Sequence, residues 1–171
     1  MLMSLQVIMG SMFSGKTTEL MNRISRLRMI GMRCCIINHS NDTRVKGNFI
    51  KTHDGKMLPA LKTNDILLAR VKDYDAIAID EGQFFNNLKT AVQLMLQKNK
   101  YVIVAGLNAD FKRESFGEIL ELIPIADEII YKRAICNACG EQASFTKRLG
   151  DNLRKVSVDS KYIAVCRKCY G

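Results

Sequence analysis

Apolar residues along this chain fall into short unbroken runs, separated by stretches where they recur every third or fourth position. Leu5-Gln6-Val7-Ile8-Met9, Cys34-Cys35-Ile36-Ile37, Ala76-Ile77-Ala78-Ile79 and Tyr101-Val102-Ile103-Val104-Ala105 are such runs. Their length and β-branched content predict buried strands. Residues 128–131, Glu128-Ile129-Ile130-Tyr131, predict a further strand. Leu20, Met21, Ile24 and Leu27 mark a helix that Gly31 closes. Leu88, Val92, Met95 and Leu96 mark a second helix, with Asn86 or Asn87 as its cap. Residues 66–71 predict a short helix, and residues 119–123 another that ends near Pro124. Residues 38–54 are polar and turn-rich, which predicts an irregular segment. Strands alternating with helices predict an α/β fold, a mostly parallel sheet with helices on both faces. Ligands of such sheets sit beyond the carboxyl ends of the strands. Gly10, Asp80 and Gly106 fall there.

The turn after the first strand is Gly10-Ser11-Met12-Phe13-Ser14-Gly15-Lys16-Thr17. It meets the phosphate-binding pattern G-x-x-x-x-G-K-[ST] at every fixed position, in the required strand–loop–helix context. Backbone N–H groups and the helix N-terminus then point at an anion. Lys16 adds positive charge at the β and γ phosphates of ATP, and Thr17 offers its hydroxyl to Mg²⁺. A chance glycine-rich turn would not carry the flanking periodicity. The fold class is therefore a P-loop nucleotide-binding fold.

The second chemical signal is Asp80-Glu81, at the end of an apolar strand. An acidic residue there is the usual partner of a phosphate loop, and Asp80 would hold Mg²⁺ opposite Thr17. Consecutive residues at a strand end point in different directions, so Glu81 is free to face an acceptor and take a proton from its hydroxyl. Glu81 could equally orient water or cap the next loop. The pair specifies phosphoryl chemistry and leaves the acceptor open.

The third signal is Cys136-x-x-Cys139 followed by Cys166-x-x-Cys169. Two such pairs make a closed, structural four-thiolate Zn²⁺ site. Two disulfides or a redox pair are the alternatives, and a reducing compartment disfavours both. Cys34 and Cys35 read as small core residues on opposite faces of a strand. His39 and His53 lack ligand spacing to the Cys pairs.

Composition narrows the class. The chain has 171 residues, 47% apolar and 25% charged, enough for one soluble nucleotide-binding domain with a small appendix. We expect residues 1–132 to form the ATP-binding domain and residues 133–171 a zinc-binding one. No apolar run reaches membrane-spanning length and no signal-peptide pattern opens the chain, so the expected location is cytoplasmic, away from any membrane. The net charge of +9 fits nucleic acid or phosphorylated ligands. The basic residues are dispersed and do not alternate with exposed aromatics, so no nucleic-acid partner is expected. A nucleic-acid-binding ATPase is the alternative from another class.

Further blocks stand in a recognisable order: Asp42-Thr43-Arg44, Thr52-His53-Asp54, Asp80-Glu81-Gly82-Gln83-Phe84-Phe85, Ala105-Gly106-Leu107-Asn108 and Thr146-Lys147-Arg148-Leu149-Gly150. With the phosphate loop and the Cys pairs, the chain closely resembles the type II thymidine kinases over nearly its whole length. The resemblance implies transfer of the ATP γ-phosphoryl group to the 5′-hydroxyl of thymidine, with deoxyuridine as a secondary substrate. It also implies a cytoplasmic homotetramer that thymidine triphosphate inhibits by feedback.

Roles carried over by resemblance follow. Glu81 is similar to the catalytic base. Residues 10–17 and Arg113 match the ATP and phosphate contacts, with Thr17 and Asp80 on Mg²⁺. Gln83, Phe84, Leu107, Phe111 and Phe116 resemble nucleoside contacts, and Met12 and Thr146 those facing the thymine 5-methyl group. Tyr162 matches the tyrosine of a zinc-anchored lasso that folds over the base. The chain departs from relatives at Ser11 (often proline), Asn108 (often aspartate) and Glu114-Ser115 (a basic residue and proline). Val156-Ser157-Val158-Asp159-Ser160 lacks a glycine pair that relatives carry and is about two residues shorter.

Overall fold

The computed structural model describes residues 3–43, 45, 47–150 and 161–171; Arg44 and the segment 156–160 singled out above lie outside them. The main body comprises β1 (Ser4–Gly10), α1 (Lys16–Met29), β2 (Cys34–His39), β3 (Phe49–Lys51), β4 (Met57–Pro59), β5 (Leu61–Thr63), β6 (Ala76–Asp80), α2 (Leu88–Gln97), β7 (Tyr101–Gly106) and β8 (Glu128–Lys132). Six strands form one sheet in the order β5-β2-β6-β7-β1-β8, and every pairing is parallel. The predicted α/β class is the observed one.

Alternation along the strands divides the core. Leu5, Val7, Ile37, Ile77, Ile79, Val102 and Val104 point to one face, under Leu88, Val92 and Met95 of α2. Ile8, Ile36, Ala78, Ile103 and Ala105 point to the other, under Leu20, Met21 and Ile24 of α1. Cys35 belongs to the first cluster and Cys34 packs against the second, as consecutive strand residues must.

Four details differ from the sequence expectation. Residues 38–54 are not wholly irregular, since β3 lies there and pairs antiparallel with β4. Only Ile50 of β3 is buried, so no alternation announced the strand. Residues 66–68 form a 3₁₀ turn rather than a helix reaching residue 71. The run Ile119–Ile125 is 3₁₀ and passes through Pro124, whose ring would clash with the i−4 carbonyl of an α-helix. Asn87 stands at the N-cap of α2 with φ +60, yet its side chain caps nothing. The Glu118 carboxylate does that work, accepting from Asn87 N (3.2 Å) and Lys89 N (2.9 Å). Gly31 does close α1, at φ +84, with Gly31 N donating to Arg28 O and Met32 N to Leu27 O.

The C-terminal unit has β9 (Ala134–Ile135), β10 (Gln142–Ala143), β11 (Phe145–Leu149), β12 (Lys161–Val165) and α3 (Arg167–Tyr170). Ala134, Cys136, Ala143, Ala164 and Val165 form its own small core. β9 pairs with β10, and β11 with β12.

Candidate active site

The phosphate loop bridges the end of β1 and the start of α1. Gly10 is required sterically: an added Cβ would lie 2.0 Å from the Lys132 carbonyl oxygen of β8. Ser14 Oγ donates to Ser11 O (2.8 Å) and holds the curve of the loop. Lys16, which serves charge and not packing, predicts a solvent-facing side chain. Instead it is buried, and its Nζ donates to Ser11 O at 2.6 Å. The loop wraps round its own lysine.

Behind the loop, Thr17 Oγ1 donates to the Asp80 carboxylate at 3.1 Å. Asp80 is buried. The next residue, Glu81, has φ +54 and ψ +40. That left-handed turn, costly for a non-glycine residue, aims the two carboxylates apart. Gln83 Nε2 donates to Glu81 Oε2 at 2.6 Å, while Gln83 Oε1 accepts from Leu107 N at 2.9 Å. Gln83 is therefore a brace between Glu81 and the end of β7. An added Cβ on Gly106 would lie 2.5 Å from Gln83 Oε1, so glycine is needed there for the brace to fit.

Beyond the sheet lies a cavity of about 360 Å³. Met12, Phe13, Ser14, Gly15, Lys16 and Thr17 line it from the phosphate loop. Glu81, Gln83, Phe84, Leu107, Phe111, Phe116, Thr146 and Tyr162 line it from other elements. Phe84 meets Phe116 edge to face, with centroids 5.6 Å apart. The buried Arg148 guanidinium stacks 3.8 Å from the Phe111 ring centroid and donates to the Tyr162 hydroxyl. Gly10, Ser11, Asp80 and Arg113 are not part of this lining. Arg113 is exposed and lies 4.3 Å from the Tyr170 ring centroid.

Sequence reasoning missed several lining residues. Asn41, Lys51 and Ala109 carried no signal. Asp42, Thr43, Thr52 and His53 stood in noted blocks without a role. The His53 ring lies 5.3 Å from that of Phe13, so the β3–β4 hairpin reaches the phosphate loop. Asp110 shapes the turn that carries Phe111, its Oδ1 accepting from Lys112 N and Glu114 N. Nearby, burial among apolar groups pushes the His39 imidazole below its usual range; its ring packs on Phe84 and Phe85.

The C-terminal unit bonds directly to the phosphate loop. Thr146 Oγ1 accepts from Met12 N (3.0 Å), and Ser11 Oγ donates to Ala143 O (3.3 Å). A proline at position 11 could not make the second bond. Cys136, Cys139, Cys166 and Cys169 come together, with all four Sγ atoms within 4.8 Å of one another, a group that could hold a metal ion. Backbone N–H donors, that of Cys166 first, pull the Cys136 thiol down to about 6, whereas hydrogen bonding to Cys166 pushes Cys169 up to about 12. Among the described residues, no helix is long and apolar enough to cross a membrane.

A parallel sheet whose first turn is a phosphate loop, with a carboxylate pair at the end of β6, one strand removed from β1, defines a nucleotide-binding protein built for phosphoryl chemistry. Comparison with known proteins names the family. The thymidine kinase family model matches residues 3–170. Thymidine kinases of vaccinia virus (strain Ankara) and monkeypox virus are each 39% identical over 170 residues, which cover 97% of this chain and 96% of each relative. This chain belongs to the thymidine kinase family. A solved structure of a DNA replication initiation factor overlaps 77% of this chain and 40% of its own, at 16% identity and a TM-score of 0.46.

Proposed function

We propose that this kinase transfers the γ-phosphoryl group of ATP to the 5′-hydroxyl of thymidine, with Glu81 as the base. One observation carries the assignment of Glu81: it lines the same cavity as the phosphate loop and the aromatic wall. The thymine ring packs among Phe84, Phe111 and Phe116, which places the 5′-hydroxyl toward Glu81. Glu81 accepts the hydroxyl proton as the O5′–P bond forms and the γ-phosphate bond to ADP breaks. Lys16 swings its ammonium from Ser11 O to the phosphates. The Thr17 hydroxyl and Asp80 carboxylate, hard oxygen donors facing each other, suit Mg²⁺. Mg²⁺, when bound, offsets negative charge on the β- and γ-phosphate oxygens. Purified protein incubated with Mg²⁺, ATP and thymidine tests the reading, with product read by chromatography. No thymidine monophosphate would end it.

The base preference follows from the wall. The Met12 N–Thr146 bond sets both residues on one side of the cavity. One methyl in an apolar pocket is worth only about 1–3 kcal/mol. Deoxyuridine is therefore a usable substrate, about tenfold to two-hundredfold poorer in kcat/KM. Met12→Ala narrows that gap. Deoxycytidine is rejected more strongly, because a mismatched edge leaves buried polar groups unpaired. Efficient deoxycytidine turnover would remove the base assignment and leave the kinase chemistry standing.

The four thiols are assigned to one structural Zn²⁺, the tetrahedral ion that four thiolates suit. Such a site belongs in a reducing compartment, the cytoplasm included. Elemental analysis of reduced protein is expected to give one zinc per chain. Cys136→Ser removes a ligand and should weaken retention by more than the about tenfold to hundredfold lost when only a ligand's hydrogen-bond partner is removed. Thymidine affinity should fall first; ATP affinity follows, because Ser11 and Met12 bond to the same unit. Zinc-free wild-type protein of normal stability contradicts this. A homotetramer and feedback inhibition by thymidine triphosphate complete the proposal. The edge strand β8, with Ile129 and Tyr131 exposed, supports self-association. Light scattering on the same preparation reads the assembly mass.

A further inference from the structure

Tyr170 has no place in the chemistry described above, yet it joins the two halves of the site. It directly follows Cys169 and ends α3. Its backbone N–H donates to Cys166 O at 2.9 Å, so its main chain is tied to the cysteine knuckle. Lys147 Nζ holds the Tyr170 carbonyl at 2.8 Å. Its ring meets Phe145 edge to face, at 5.8 Å between centroids. At the far end, its hydroxyl donates to the Phe111 carbonyl oxygen at 2.5 Å, across 59 residues of sequence. Phe111 lines the cavity, and Arg148 stacks on it while donating to Tyr162, another lining residue.

We propose that Tyr170 is a positioning residue: its hydroxyl clamps the Phe111 turn to the cysteine knuckle and so sets the aromatic wall of the acceptor cavity. The turn is closed by its own bonds: Asp110 N donates to Glu114 O, Arg113 N to Asp110 O, and Asp110 Oδ1 accepts from Lys112 N and Glu114 N, with Ala109 bridged to Ser115. None of these bonds engages the Phe111 carbonyl, which Tyr170 holds from outside the turn. Arg113 is held in the left-handed region at φ +67, a strained setting that surrounding contacts must maintain. The Tyr170 ring beneath its guanidinium supplies one of them. The clamp rests on the reading of the cavity as the thymidine site, and it adds a route by which the knuckle governs nucleoside affinity.

Tyr170→Phe tests it, since this change keeps the ring contacts and deletes only the hydroxyl. A net hydrogen bond of about 0.5–1.5 kcal/mol corresponds to about a twofold to tenfold change. The expected result is a rise of that size in thymidine KM and in the dissociation constant by calorimetry. KM for ATP and metal content should be unchanged. Amide exchange, followed by mass spectrometry, should quicken over residues 110–114, a readout that needs no substrate. Unchanged exchange and thymidine affinity would overturn the clamp. So would loss of metal together with equal weakening of ATP and thymidine, which would mark Tyr170 as part of the fold only. If wild-type protein forms no thymidine monophosphate, the function assigned above fails, while the exchange result still decides whether the clamp exists.

Discussion

Lys16→Ala should lower turnover by on the order of a thousandfold. A preorganised charge aimed at a developing anion is worth about a hundredfold to a thousandfold in a water-poor site, and Lys16 sits at the upper end because its side chain is buried. The structure adds a second consequence. Lys16 Nζ bonds Ser11 O and lies 3.5 Å from Ser14 Oγ, so alanine also removes the interior strut of the loop. That loss costs about 0.5–1.5 kcal/mol of stability. Lys16→Met separates the two effects, since it fills the space without the charge. Both variants should lose turnover alike, while methionine restores more of the melting temperature. A folded Lys16→Ala protein with near-normal turnover would remove the phosphate-loop assignment.

Glu81→Gln is the second large effect. A positioned general base contributes about a hundredfold to ten-thousandfold. Glutamine keeps the shape, and its amide oxygen still accepts from Gln83 Nε2, so the brace to Leu107 survives. The left-handed backbone at Glu81 is unchanged by the substitution. We therefore expect kcat to fall within that range while calorimetry shows thymidine bound about as before. Pre-steady-state measurement should show no burst of product, because chemistry becomes the slow step. A change confined to thymidine affinity would make Glu81 a substrate contact and place the base elsewhere.

The other predictions concern affinity and order more than rate, which reflects how the site is built. Lys16 is held within the phosphate loop, and Thr17 is bonded to Asp80 at the end of β6 just behind it. Phe111, Thr146 and Tyr162 come from loops and from a separate unit, joined by single bonds such as Tyr170 to Phe111. Disturbing the second group should leave donor chemistry running and alter how firmly the acceptor is held.

Some of this was legible without coordinates. The phosphate loop was readable because its function depends on contiguous spacing and on the strand and helix that flank it. The central strands were readable because burial on both faces leaves unbroken apolar runs. The two Cys pairs were readable because each knuckle is a local feature, and the sulfur atoms do gather. β3, β4 and β5 were not, since each is three residues long and together they present a single fully buried apolar residue, Ile50. A pattern so short has no measurable period.

What the sequence determined by itself was the set of local motifs: a phosphate-loop pattern, an adjacent pair of carboxylates and two Cys-x-x-Cys pairs, each set by residues near one another in the chain. Tertiary structure alone decided how those parts are held. Glu118 caps α2 from 31 residues away, where local sequence pointed to asparagine. Lys16 turns inward because the loop carbonyl of Ser11 satisfies it. The C-terminal unit is bonded to the loop through Ala143 and Thr146, and to the Phe111 turn through Tyr170. The physical reason is shared. Glu118, Ala143, Thr146 and Tyr170 bond to partners distant in sequence, and Lys16 meets Ser11, five residues away, only once the loop has curled on itself. A polar residue that finds its partner in the folded chain looks, along the sequence, like any residue facing water.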